Sequence, residues 1–118
     1  MNWVDSPQLA VIERMLDLDT MRQSLISTNI ANVDTPGYHA RDIDFRGELR
    51  RAMDGNYQPS VGPFVMPVMG LNERPDGNNV NVDRESMLLA EIQLQFKTAT
   101  AILRAKFSQI STAIREGQ

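Results

Sequence analysis

Between positions 84 and 115 the sequence runs without a single proline or glycine. Both residues disfavour helix interiors, glycine by about 1 and proline by about 3 kcal/mol relative to alanine. The run therefore reads as one long helix. Residues 33–82, in contrast, hold five of the six prolines and six of the seven glycines. A second helix is expected over residues 7–32. Asp5 or Ser6 can cap it, and Pro7 suits the first helical position, where its missing N–H is not needed. Asn32 is a natural stop, because asparagine tolerates a left-handed conformation at a helix end. For the later helix, Asp83 is the expected cap. Glu85 sits near the positive end of the dipole, Arg104, Lys106 and Arg115 sit toward the negative end, and Gly117 marks the expected terminus.

The apolar residues in these helices fall in stripes. At about 100° per residue, Leu89, Ile92, Phe96, Ala99, Leu103, Phe107, Ile110 and Ile114 share one face, with the alternating threes and fours of a coiled-coil seam. Met87, Leu94, Ala101 and Ala105 lie nearly opposite. In the first helix, Leu9, Ile12, Leu16 and Ile30 lie on one side; Val11, Met15, Leu18, Met21 and Leu25 lie on the other. A helix that is apolar on two sides needs two neighbours. At 1.5 Å per residue the helices would be about 39 and about 48 Å long, whereas a compact 100-residue domain has a radius of gyration of about 13 Å. Each helix can cover one stripe of the other in an antiparallel hairpin. The remaining stripes call for the middle segment to fold back or for other subunits, and the excess of apolar surface favours the subunits.

The expected fold is thus mainly α. Long N- and C-terminal helices pack as an antiparallel coiled-coil-like hairpin, with an irregular central segment containing short extended pieces. The chain divides into 1–32, 33–82 and 83–118. In the middle part, Thr35-Pro36-Gly37-Tyr38 reads as a type II turn, with Pro36 setting one φ and Gly37 supplying the positive φ that follows. Tyr38, Ala40, Ile43 and Phe45 offer apolar contacts after it. Residues 45–54 can form a short helix, weakened by Gly47 and ended by Gly55. Pro63 and Pro67 make residues 60–70 an edge segment rather than a central strand.

Composition narrows the chemistry. A net charge of −3 argues against nucleic acid as a partner, since phosphate binding needs a basic surface. The absence of cysteine removes disulfides, thiolate metal sites and a cysteine nucleophile. No apolar run is long enough for direct membrane insertion, and the first residues lack the pattern of a cleavable secretory signal. His39 is the only histidine. With Asp42 and Asp44 it could suggest a general base or a partial metal site, but catalytic zinc usually needs three protein ligands, so a solvated polar loop is the expectation. No cofactor and no catalytic or metal site is expected. Arg46, Arg50 and Arg51, flanked by acids, read as a salt-bridged surface, and Trp3 reads as a packing or docking anchor.

The stretch STNIANVDTPGYHARDIDF, residues 27–45, closely resembles the signature of flagellar rod and hook axial proteins. Asn29, Ile30, Ala31, Asn32, Thr35, Pro36, Gly37 and Tyr38 match it directly. The segment from Asn78 to Ile114 resembles the family's terminal helix, with Asn79, Val80 and Asp83 to Glu85 matching its start. The short chain, ARDIDF after the turn and KFSQISTAI near the end are most similar to the B-type proximal rod proteins of the basal body. Phe96 stands where relatives often carry tyrosine, and ESMLLAE departs from the usual charged start.

The resemblance implies a structural, non-enzymatic subunit of the proximal rod, a hollow shaft that transmits torque passively. It implies export, unfolded, through the flagellar type III apparatus, and polymerisation at the base of the rod through coaxial terminal helices. Its implied partners are copies of itself, other rod proteins, the rod–MS-ring junction protein and the flagellar export gate. The unshared apolar surface independently suggests termini that order on assembly. The packing residues expected to matter are Leu9, Ile12, Leu16, Leu18, Leu25, Leu89, Ile92, Phe96, Leu103, Phe107, Ile110 and Ile114. A cytosolic helical adaptor or type III export chaperone is the alternative, and a small enzyme using the His39 loop is a third reading.

Overall fold

The computed structural model describes residues 7–55 and 62–117. Its elements are α1 (Pro7–Ala31), β1 (Arg41–Ile43), α2 (Phe45–Met53), β2 (Val65–Pro67) and α3 (Val82–Glu116). Trp3, Asp5, Ser6 and residues 56–61 lie outside the described residues.

The two long helices form an antiparallel hairpin. Near one end, Lys106 on α3 donates to Gln8 on α1 at 3.2 Å. Near the other, Asn29 on α1 donates to Glu85 on α3 at 3.1 Å. Between them sits a core of Ile26, Leu88 and Ile92, flanked by Ile30 and Leu89. The molecule measures 69 × 26 × 19 Å with a radius of gyration of 18.3 Å, well above the roughly 13 Å of a compact domain of about this size. Such an elongated shape leaves much helix surface uncovered.

The seam does not follow the stripe with the most large apolar side chains. On α3 the buried residues are Glu85, Leu88, Ile92 and Ala99. At about 100° per residue this line is rotated by some 40–60° from the one through Phe96, Phe107 and Ile114. Those three are 44%, 53% and 60% exposed. Ile92 is buried, and Leu89, Leu103 and Ile110 are half-buried. Leu88 and Ile26 belong to the core although neither lies on an expected stripe.

Both sides of α1 find neighbours within the chain. α3 takes one side, while α2 and β1 take the other. Leu9 and Leu18 are buried, and Ile12, Leu16 and Leu25 are half-buried. Among the described residues the middle segment therefore folds back over α1 and leaves the outer face of α3 open.

Two helix-end expectations need correction. Asn32 is not left-handed, since no described residue other than glycine has positive φ. Instead its side-chain amide donates to the Thr28 carbonyl at 2.8 Å, and Val33 N–H closes onto Ile30 at 3.1 Å. The last carbonyls are thereby satisfied without a change of hand. Asp83 is not the cap of α3. That place belongs to Asn81, whose side chain accepts from the Arg84 N–H at 3.2 Å, while Asp83 sits inside the first turn.

The short elements follow local chemistry. Asp44 caps α2 by accepting from the Gly47 N–H at 3.2 Å. A Cβ on Gly47 would meet that carboxylate at 2.3 Å, so the glycine that weakens the helix also makes room for its cap. β1 and β2 pair antiparallel, with Asp42 opposite Met66.

Candidate assembly face and the polar hub behind it

The Thr35–Tyr38 turn forms as expected, with Tyr38 N–H donating to Thr35 at 3.2 Å and Gly37 at φ 74°. Its surroundings explain why so many residues there are polar. Asn29 is 1% exposed and makes four hydrogen bonds. Its oxygen accepts from Tyr38 Oη and Arg41 N–H, each at 3.0 Å, and its amide donates to the Arg41 carbonyl at 3.0 Å and to Glu85 at 3.1 Å. One side chain thus ties α1, the turn, β1 and α3 together, with all its capacity filled.

A second asparagine layer docks the turn onto the segment before α3. Asn78 donates to the Asn32 and Thr35 carbonyls, both at 2.9 Å. Asn79 accepts from the Ala40 N–H at 2.7 Å. Gly37 N–H donates to the Asp76 carbonyl at 2.9 Å. Thr35 Oγ1 donates to Asn32 Oδ1 at 3.1 Å, and the Arg74 guanidinium donates to the Val33 carbonyl. The two loops approach so closely that a Cβ on Gly77 would lie 3.3 Å from Gly37 Cα. Pro36 itself is exposed.

Charged pairs extend the hub along α1. Arg22 holds Asp42 with both its Nε and a terminal nitrogen at 3.0 Å and lies 5.9 Å from the Phe45 ring centroid. Arg84 bridges Glu85 at 3.0 Å and Asp42 at 3.9 Å. Further along, Arg14 meets Glu48 at 3.4 Å with both side chains buried. Glu48 also takes the exposed Arg51 at 3.3 Å. The pairs Arg22–Asp42, Arg14–Glu48 and Arg84–Asp42 left no trace in the sequence because their partners lie 20 to 42 positions apart, outside any local pattern.

The reactive-looking loop is accounted for structurally. Asp42 is the partner of Arg22 and Asp44 caps α2. His39 is half exposed and sits 2.8 Å from Glu73. No metal-holding group of His, Asp or Glu occurs among the described residues.

The outer side of α3 is a different kind of surface. Met87 and Leu94 point away from the seam, Ile102 and the line Phe96, Phe107 and Ile114 flank it on either side, and all six are exposed, Leu94 at 67%. A run of large apolar side chains along one long helix exceeds ordinary surface decoration. No described helix is long and apolar enough to cross a membrane.

Comparison with known proteins joins these features to a family. A family described as flagella basal body rod protein matches residues 19–39, the part of α1 and the turn that contains Asn29 and Tyr38. Over most of its length the chain is similar to flagellar basal body rod protein FlgB of Escherichia coli, with 33% identity covering 89% of this chain and 91% of the relative. It is 36% identical to FlgB of Cereibacter sphaeroides, covering 92% and 94%. The chain belongs to the FlgB family of flagellar basal body rod proteins. This family is structural rather than enzymatic, which also removes the third reading of the His39 loop. The polar hub is therefore the scaffold of an FlgB-type subunit, and the site to look for is a packing surface rather than a catalytic centre.

Proposed function

We propose that this chain is a structural subunit of the proximal rod in the bacterial flagellar basal body, and that the outer face of α3 is its principal assembly surface. The observation that carries this is the apolar surface that α3 leaves exposed beyond its seam with α1: Met87 and Leu94 lie on the side away from the seam, and Phe96, Phe107 and Ile114 lie along its edge. The subunit meets copies of itself and other rod proteins through these exposed stripes, in a shaft that passes torque without chemistry. Within this reading Leu9, Leu18 and Ile92 hold the subunit together, while Phe96, Phe107 and Ile114 face neighbours. Leu89, Leu103 and Ile110, half-buried at the edge, serve both. The motif Asn29, Asn32, Thr35, Pro36, Gly37 and Tyr38 fixes the angle between the helices and the middle segment. The rod–MS-ring junction protein and the export gate are the further partners, reached by type III export.

Fractionation tests the reading. The chain is expected to co-purify with intact basal bodies; recovery only in the soluble cytosol would favour an adaptor or chaperone, a role the FlgB relatives do not support.

A further inference from the structure

A buried carboxylate stands in the middle of the α1–α3 seam. Asp19 is 0% exposed, and neither of its oxygens has a hydrogen-bond partner. The hairpin register, set by Gln8 with Lys106 and by Asn29 with Glu85, brings Gln95 opposite Asp19. The Gln95 Oε1 is itself buried and unpartnered. The next residue of α3 on that line is Ala99, fully buried and apolar. Three buried oxygens at this level of the hairpin, two on Asp19 and one on Gln95, therefore have no donor.

The surrounding charges do not relieve it. Arg22, one turn along α1, is committed to Asp42 at 3.0 Å. On α3, Glu91 adds a like charge. At the start of α2, Asp44 and Arg46 line the cavity beside the seam with Arg22, Glu91 and Gln95. Asp44 is engaged in capping, and Arg46 is exposed.

We propose that Asp19 is a release point: an ionised side chain that keeps the α1–α3 hairpin of the free subunit easy to open, and that holds it shut when neutral. Burial raises the Asp19 pKa from its ordinary 3.8 to about 6, against a smaller opposing pull from Arg22. A carboxyl whose folded value lies above its unfolded value contributes fully below the unfolded one. That contribution is lost as pH rises toward about 6 and stays lost beyond it. At neutral pH the folded chain carries the ionised group without a partner. The difference corresponds to roughly a hundredfold in the folding equilibrium. The hairpin is thus weakest at its centre, while the Asn29 hub holds one end.

The use of such a release, letting the long helices exchange partners during assembly, rests on the rod reading. The stability effect does not. Urea unfolding of the isolated chain between pH 4 and pH 7 tests it, with Asp19→Asn and Asp19→Leu beside the wild type. At least one variant is expected to gain about tenfold or more in folding equilibrium at pH 7 relative to pH 4. The proposal is overturned if both variants are no more stable than wild type at pH 7, or if any gain is the same at both pH values. Incorporation into basal bodies reads the biological part separately. A stabilised variant that enters as well as wild type overturns the release role. Absence of the wild type itself sinks only the rod reading.

Discussion

Asn29 and Glu85 are 56 positions apart in sequence, both almost wholly buried, and joined by a 3.1 Å hydrogen bond from amide to carboxylate. The bond couples the last turn of one long helix to the first turn of the other. Arg84 supplies a second donor to the carboxylate at 3.0 Å. A buried charge is costly without such partners, so the hub is stable as a unit and sensitive to the loss of any member.

Replacing Asn29 with alanine should therefore do more than delete one contact. Glu85 loses a partner while wholly buried, and the Arg41 backbone and the Tyr38 hydroxyl lose theirs at partly buried positions. The expected cost is about 3 kcal/mol, following the penalty for leaving buried polar groups unsatisfied. Asn29→Asp should be worse at neutral pH, because it sets two carboxylates against each other. Chemical denaturation of the isolated chain measures both.

The close crossing of the two loops makes a second test. Gly77 has φ 83° and faces Gly37 Cα. Gly77→Ala adds a left-handed cost of about 1–2 kcal/mol and pushes the loops apart. The hydrogen bonds of Asn78 should weaken, and the amide of Gly37, which donates to Asp76, should lose protection in hydrogen exchange. Unchanged protection would show that the docking tolerates the extra carbon.

Much of this architecture was readable in local chemistry. Pro7 does open α1, the Pro36-Gly37 pair makes its turn, and the proline-flanked segment forms the edge strand β2. What local reading could not supply was the facing of the helices. Phe96 and Phe107 are larger than Leu88 or Ala99, so a search for apolar stripes follows them. The chain instead seats α3 on a narrower line that includes Glu85 and Gln95, because the Asn29 hub fixes the rotation. In sequence Glu85 reads as a dipole partner; only the fold shows that Asn29 and Arg84 meet it in the interior. The outcome for α1, covered on two sides by α3 and α2, follows from the 14–48 and 22–42 ion pairs, which leave no periodic trace.

Glu48 separates buried from exposed electrostatics within one residue's contacts. Its partner Arg14 is 3% exposed, whereas Arg51 is 63% exposed. Glu48→Ala should cost about 3 kcal/mol, because it removes a buried partner of a buried charge. Arg51→Ala should cost no more than about 1 kcal/mol. Comparing their urea midpoints checks the ordering, and equal effects would argue that Glu48 matters only for α2.

Phe96→Ala should divide stability from assembly. In the free chain the ring is nearly half exposed, so its truncation should cost well under the roughly 3–5 kcal/mol of a fully buried phenylalanine. Basal-body incorporation should nevertheless fall sharply. A large loss of monomer stability with normal incorporation would place Phe96 in the wrong interface.

The outer face of α3 is tested most directly by thiol labelling. The chain has no cysteine, so Leu94→Cys introduces a single reporter where the side chain is 67% exposed. The thiol should react rapidly in the free folded chain and be strongly protected in purified basal bodies. Equally fast labelling in both would show that this surface remains open in the rod and would contradict its assignment as the assembly face.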